Sequence, residues 1–359
     1  MALSSGDRLP FCVGVGPDRS FHSSDHQAGR PAVLVIGVGS STPVVEATSA
    51  SVAARRDAIV ATGADSWLLL PFAAMARLYA DKTASSDTLR ALLCPDQFFE
   101  ACVRLGTPIP LVVVIDRGGL VAGCWQGLDA DPEQIAEAAL ACLCALAGKA
   151  PPAPPVLFVS RLFEAEFCRT LIEAFETAPT FDSPVSSSGP DGQLVDRVDH
   201  RRKRRRDWLL EPGDGFYDDV RNRLFNRCIP AIDRAFQHEV AHLDRILVAR
   251  YDEGAGHFSR HRDNVGSAVA FRQFALSVNL NAGDYEGGCL RFPEFDDGLY
   301  QPATGEGLVF SASLLHEATR VTSRCRYVLL TFLHDERAEA RRRMGLNAVA
   351  LPDHQCGRC

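Results

Sequence analysis

Short apolar runs separated by turns dominate this chain, with helical periodicity between them. "RPAVLVIGV" (30–38) and "PLVVVIDRGGLVAGCW" (110–125) are continuous apolar segments of strand length. The second breaks at Arg117-Gly118-Gly119, which reads as a hairpin turn. Helices are predicted over 45–61 and 86–105. A third helix is predicted in "DPEQIAEAALACLCALAGK", with Asp131 as N-cap and Pro132 at the first helical position. Its apolar face is Ile135, Ala139, Leu140, Leu143 and Leu146. Strands alternating with helices predict an α/β layered structure for this part of the chain.

The pattern restarts after "GKAPPAPPV" (148–156), a proline run too stiff for a helix or a central strand. "FEAEFCRTLIEAFET" (163–177) is amphipathic, with Phe167, Leu171, Ile172 and Phe175 on one side. A polar Gly/Ser/Pro-rich loop is expected over 178–193. A helix is expected over 215–236, with Val220, Leu224 and Ile232 as its stripe and Pro230 kinking or ending it. From 246 onward come "ILVARY", "FALSVNLN", "GCLRFPEF", "GEGLVFSAS" and "RYVLLTFLH", separated by Gly-rich turns such as "GDYEGG". Short strands at this spacing predict a sandwich or jelly roll. The expected organisation is residues 1–148, a linker at 149–156, a second domain at 157–340 and a tail at 341–359.

Composition narrows the setting. A chain of 359 residues, 46% apolar, can bury two cores. No apolar run approaches the ~20 residues that cross a bilayer, and the start lacks a secretory pattern. The twelve cysteines are scattered through apolar segments, as reduced thiols of a cytoplasmic protein would be. Net charge is −7, and lysine occurs only at Lys82, Lys149 and Lys203. That arginine bias suggests a GC-rich bacterial genome and lowers the weight of any arginine run. The run "HRRKRRRD" (200–207) is therefore expected to be a solvated loop, with a second reading as a lip gripping an acidic partner. Nucleic-acid binding gains no support.

The chemistry concentrates near the end. In "HFSRHRDN" (257–264), His261 and Asp263 are two apart, so extended backbone points both the same way. His316 follows the apolar strand "GLVFSAS". Two histidines and a carboxylate on one face of a metal make the facial triad of non-haem Fe(II) sites. Arg326 lies ten residues beyond His316, at the start of a strand whose face it shares with Val328, Leu330 and Phe332. A guanidinium there is costly without an anion, and its planar fork suits a carboxylate. His257 reads as a loop or supporting residue rather than a ligand, and His242 and His334 as structural or surface residues.

From Val159 to about Glu336 the chain resembles the Fe(II)/2-oxoglutarate dioxygenases, in particular the prolyl 4-hydroxylase-like branch. The matching pieces are "RYDEGAGHFSRHRDN", "LSVNLNAGDYEGGCLRFPEF" and "GEGLVFSASLLHEATRVTSRCRY". The resemblance implies a double-stranded β-helix with flanking helices, Fe(II) bound by His261, Asp263 and His316, and the 2-oxoglutarate tail held by Arg326. It places Tyr251 and Asn279 in the cosubstrate pocket. It further implies O2 as co-reactant, ascorbate as a candidate reductant, and hydroxylation of a C–H bond with release of succinate and CO2. The implied substrate is a prolyl peptide or protein, or an amino-acid-derived molecule. Asp263 argues against halogenation.

Residues 6–127 resemble the peroxiredoxin and thioredoxin folds, through "GDRLPFCVGVGPDRSF", "AGRPAVLVIGVGSSTPVV" and "TPIPLVVVIDRGGLVAG". Val45 stands where the family's "TPVC" would carry its peroxidatic cysteine, so this domain reads as a scaffold, a homodimerisation surface or a recruiting arm. Two other readings stay open: a non-catalytic two-domain binding or sensor protein, and a thiol redox protein using Cys12 or the terminal CxxC of Cys356 and Cys359.

Overall fold

The computed structural model describes residues 3–16, 20–37, 43–72, 89–104, 110–126, 131–149, 151–188 and 194–344. The chain divides into two compact units. The first comprises Met1–Ala153 with Pro293–Asp297, and the second Pro154–Phe292 with Gly298–Cys359. The division falls inside the proline run. No described helix is long and apolar enough to cross a membrane.

The first unit is built on a seven-stranded sheet. Its strands are β1 (Val13–Val15), β2 (Phe21–Ser23), β3 (Ala32–Ile36), β4 (Asp65–Pro71), β5 (Arg90–Cys94), β6 (Leu111–Ile115) and β7 (Val121–Gln126), in the order β2-β1-β5-β4-β3-β6-β7. β3, β4 and β5 run parallel, whereas β6 and β7 return antiparallel. One face packs Leu34, Ile36, Leu69, Leu92 and Val113 against Phe98, Phe99 and Cys102 of α3 (Asp96–Arg104). The other packs Val33, Val35, Val112 and Val114 against α1 (Pro43–Ala53), α2 (Arg56–Ala61) and α4 (Pro132–Ala147). Burial on both faces explains why these strands read as continuous apolar runs. The arrangement is compatible with a thioredoxin-like fold. Asp131 caps α4 by accepting the Glu133 N–H, as its position predicts.

One expectation is corrected here. Residues 90–94 form a strand, not the start of a helix over 86–105. "RALLC" is short and apolar, and pairing beside β4 settles what periodicity could not. Asp65–Pro71 is a further strand, one that the sequence pattern did not single out.

The second unit carries β8 (Val156–Val159), α5 (Ala165–Thr177), β9 (Phe181–Asp182), β10 (Val185–Ser188), β11 (Leu194–Arg197), β12 (Lys203–Arg204) and β13 (Arg206–Leu210). Helices α6 (Gly215–Arg223) and α7 (Ile229–Phe236) follow, joined by a π-turn at Leu224–Cys228. The wider turn lets Pro230 enter the first turn of α7, so the proline restarts the helix rather than ending it. Then come β14 (His242–Leu243), β15 (Ile246–Tyr251), β16 (His257–His261), β17 (Phe274–Asn279), β18 (Glu286–Gly287), β19 (Leu290–Arg291), β20 (Gly307–Ser311), β21 (His316–Ala318), β22 (Val321–Ser323), β23 (Arg326–His334) and α8 (Glu336–Arg343). The segment expected as a loop over 178–193 thus contains β9 and β10.

A large antiparallel sheet runs β8-β20-β17-β23-β15-β13-β9, and a smaller one β12-β16-β21-β19. Two antiparallel sheets of this kind are compatible with a jelly roll. One face of the large sheet (Trp208, Leu210, Ile246, Val248, Leu276, Val278, Leu329, Leu333) buries against Phe167, Leu171 and Phe175 of α5 and Val220, Leu224 and Ile232 of the following helices. Alternation therefore turns Ala249, Tyr251, Asn279, Arg326, Val328, Leu330 and Phe332 to the opposite face. Leu330 and Phe332 are only half-buried there, whereas their neighbours Leu329 and Leu333 are fully buried. Tyr251, Asn279 and Arg326 place polar atoms among buried Ala249 and Val328 on that face.

Candidate metal centre and anion pocket

β16 and β21 pair with His261 opposite His316, and the Asp263 N–H donates to the Ala312 carbonyl just past that pairing. The three side chains are thereby gathered from two places fifty-odd residues apart. His261 Nε2 lies 3.3 Å from Asp263 Oδ1, and His316 Nε2 lies 3.3 Å from Oδ2. One ligand atom from each lies within 4.8 Å of the others. Each imidazole directs its Nδ1 at a carbonyl two residues back, Ser259 at 2.8 Å and Leu314 at 3.0 Å. A carbonyl can only accept, so Nδ1 carries the proton and the Nε2 lone pairs face the centre. Burial, with repulsion from His261, holds the His316 imidazole down at about 4. It is neutral at pH 7, the form that binds metal. Burial opposes ionisation of Asp263, but the neighbouring His316 and His261 and the Arg272 guanidinium outweigh it and hold the carboxyl below its usual range. Two imidazoles whose Nδ1 protons are turned away and one carboxylate, converging, fit a divalent transition metal.

The neighbourhood continues through stacked side chains. Phe258 lies on His261 with ring centroids 3.4 Å apart. The Arg205 guanidinium is 5.9 Å from the Phe258 ring centre and 5.8 Å from that of Tyr251. It also donates to the Tyr251 hydroxyl at 3.2 Å. The Arg326 guanidinium lies over the other ring position, 5.2 Å from the Tyr251 centre. These contacts connect the triad to Arg326 through Tyr251.

Arg326 is buried, 2% exposed, and among the described residues no carboxylate pairs with it. Its one hydrogen bond runs from Nε to the Tyr285 hydroxyl at 3.2 Å. That oxygen accepts a second bond, from Asn279 Nδ2 at 2.7 Å, and the same Nδ2 donates to the Pro302 carbonyl at 2.9 Å. With both lone pairs taken, the Tyr285 proton is free to donate beside the guanidinium. Sequence reasoning placed Asn279 against the cosubstrate and overlooked Tyr285. In the fold Asn279 holds Tyr285, which presents the hydroxyl. Tyr285 lies in the "GDYEGG" turn, and nothing in its spacing from the metal ligands signalled a role.

Gly288 makes room for this pocket. Its φ is +61°, and a Cβ there would sit 2.7 Å from Arg326 Cδ. Gly288→Ala is expected to cost about 1–2 kcal/mol from the left-handed backbone and to displace Arg326. A lower urea midpoint with unchanged slope is the expected result. An unchanged midpoint would contradict it.

The basic run does not form a solvated loop throughout. Arg201, Arg202, Arg204 and Arg206 are exposed, but Lys203 is 5% exposed and the Arg205 side chain 8%. Alternation along β12 and β13 sends every second residue inward. Arg205 pairs with Asp207 at 2.7 and 3.0 Å. His257 hydrogen-bonds the Ala255 and Arg201 carbonyls, away from the triad. His242 and His334 bond Glu336 and Glu339 of α8.

Val45 is buried in the core of the first unit, within α1. Cys12 Sγ lies 3.0 Å from Cys94 Sγ, both buried. The Cys12 contact and burial push the Cys94 thiol well above its usual range, and burial pushes Cys102 up to about 12. Native alkylation at pH 7 is expected to label exposed Cys144 and to reach Cys94 and Cys102 only after unfolding. Rapid native labelling of Cys94, read by peptide mapping, would revive the thiol redox reading. The terminal CxxC lies outside the described residues.

Comparison of the sequence with protein-family models gives no match, and comparison with curated proteins gives none. Similar solved structures fall into two sets, one of 2-oxoglutarate–Fe(II) oxygenases and one of thioredoxin-like proteins. A prolyl-4-hydroxylase from Pseudomonas putida is 18% identical, with a TM-score of 0.39, covering 51% of this chain and 94% of its own. A prolyl hydroxylase from Trichoplax adhaerens, solved with a hypoxia-inducible-factor peptide, is 17% identical with a TM-score of 0.40, covering 52% and 86%. In the second set, peroxidoxin BcpB from Mycobacterium tuberculosis is 15% identical with a TM-score of 0.33, covering 40% and 98%. These likenesses are distant, and the chemistry rests on the chain's own residues.

Proposed function

We propose that this protein is an Fe(II)- and 2-oxoglutarate-dependent dioxygenase that hydroxylates a C–H bond and releases succinate and CO2. The observation that carries the reading is a buried arginine without a carboxylate partner among the described residues, joined by stacked contacts to a two-histidine, one-carboxylate cluster. A buried guanidinium of this kind needs an anion. A dicarboxylic oxo-acid would offer one carboxylate to Arg326 and Tyr285 while its other end reaches the metal.

Iron held there would supply oxygen activation, with positions left open by only three protein ligands. His261, Asp263 and His316 orient that metal, fixed by the Ser259 and Leu314 carbonyls. Arg205 holds Tyr251, and Asn279 holds Tyr285. Half-buried Leu330 and Phe332 add apolar surface on the same sheet face, which limits water around a reactive centre. A prolyl residue in a peptide is the first substrate class to examine, with amino-acid-derived molecules beside it. Anaerobic addition of Fe(II) and 2-oxoglutarate to the apoprotein should produce the weak visible metal-to-ligand charge-transfer band of the chelate. Absence of the band, with no bound iron found by metal analysis, would overturn the proposal in favour of a two-domain binding protein.

A further inference from the structure

The face of the large sheet that carries Arg326 and Phe332 is also approached by Arg245 and Arg272, both near the Phe332 ring. Arg245, directly before β15, shares its strand face with Leu247, Ala249 and Tyr251. Six residues separate it from Tyr251, roughly 20 Å of extended chain. Its guanidinium lies 6.0 Å from the centre of the Phe332 ring, and that of Arg272 lies 3.8 Å from the same ring. Arg272 is matched by Asp244 at 2.7 and 2.9 Å, and its Nη1 reaches the backbone carbonyl of the metal ligand Asp263 at 3.4 Å. Arg205 is matched by Asp207. Two cations remain.

Arg245 is solvent-exposed, and among the described residues no carboxylate lies within ion-pair distance of it, although Asp244 and Asp207 attract it from further off. Lys203 is buried, and among the described residues its ammonium hydrogen-bonds only the Pro184 carbonyl, at 2.9 Å. It stands 4.8 Å from the centre of the Phe258 ring, the ring that stacks on His261. Burial, then repulsion from Arg205 and Arg245, push Lys203 down to about 6, while Asp207 and Asp263 pull the other way. An arriving carboxylate would relieve that strain and restore the charge.

Resting on the dioxygenase reading, we propose that the substrate carries a carboxylate near its reacting C–H bond, and that Arg245 and Lys203 bind it. The carboxylate belongs either to an acidic residue beside the target in a peptide or to a small free acid. One cation approaches from the solvent-exposed start of β15 and the other from the buried side of Phe258, so together they favour anions over neutral or basic molecules.

The test titrates the full-length protein calorimetrically with hexaglutamate, hexaglutamine and free glutamate. Hexaglutamate binding at least tenfold tighter than hexaglutamine indicates the peptide source, and tight free glutamate the small-acid source. Arg245→Gln and Lys203→Met should each weaken acid binding about tenfold, as expected for one charge-assisted bond. Their melting transitions serve as the fold control. Arg201→Gln with Arg202→Gln should change it little. Equal binding of acid and amide peptides without tight binding of free glutamate, or acid binding lost only with Arg201 and Arg202, overturns the proposal. The chelate band is recorded on the same samples. A band without acid preference sinks the substrate assignment alone. No band sinks the oxygenase reading, and the substrate role of the acid with it.

Discussion

Alanine at His316 is expected to abolish 2-oxoglutarate turnover and to cut Fe(II) affinity by more than the roughly 10–100-fold that loss of an outer hydrogen bond costs. The side chain supplies one of three converging donors and is 5% exposed, so no solvent-borne group can take its place. Asp263 would keep His261 as its one histidine partner, at 3.3 Å. Metal content after anaerobic equilibrium dialysis measures the loss, and succinate release measures turnover. The labelling pattern of Cys144 and Cys94 should stay as in the wild type, which separates the oxygenase from any thiol chemistry. A variant that binds iron like the wild type would show that the triad is a hydrogen-bonded cluster and not a metal site.

The second large effect is a graded one. Arg326→Ala removes a buried charge from its anion and is expected to weaken 2-oxoglutarate binding by about 2–5 kcal/mol, on the order of thirtyfold to several thousandfold. Tyr285→Phe deletes one hydrogen bond to a charged group, about 1.5–3 kcal/mol, or roughly ten- to a hundredfold. Anaerobic titration of the chelate band reads both. The control is a 2-oxo acid without the distal carboxylate, such as 2-oxobutyrate. Its affinity should be low in the wild type and little changed by Tyr285→Phe, because the group that Tyr285 addresses is missing. Equal losses for the two acids would mean that Tyr285 supports the fold of the pocket and does not touch the distal carboxylate.

How far these features were legible depends on the range of the interactions that make them. His261 and Asp263 were readable as a pair because a two-residue spacing has one meaning in extended backbone. Arg326 was readable because a cation in an apolar strand contradicts its surroundings. Asn279 and Tyr285 were not separable in sequence, since six positions and a turn lie between them and only the folded turn shows which one presents its polar atom. The basic run misled for a related reason. Its composition matched a solvated loop, but β12 pairs with β16 through Lys203↔Phe258, and that pairing turns alternate cations inward. In the first unit the helix expected over 86–105 failed at 90–94, where neighbouring strands override a short ambiguous apolar run.

By itself, then, the sequence determined the change of architecture at the proline run, the loss of a thiol at Val45, the candidate ligands and the cation opposite them. Each of these depends on residue chemistry or on spacings of a few residues, which local backbone geometry constrains. The tertiary structure alone decided that His316 faces His261, that Asn279 hydrogen-bonds Tyr285, and that among the described residues Arg245 and Lys203 have no ion-paired acid while Arg205 and Arg272 have theirs. Those outcomes depend on register between strands far apart in the chain. Register is set by burying whole faces at once, and no short stretch of sequence contains that information.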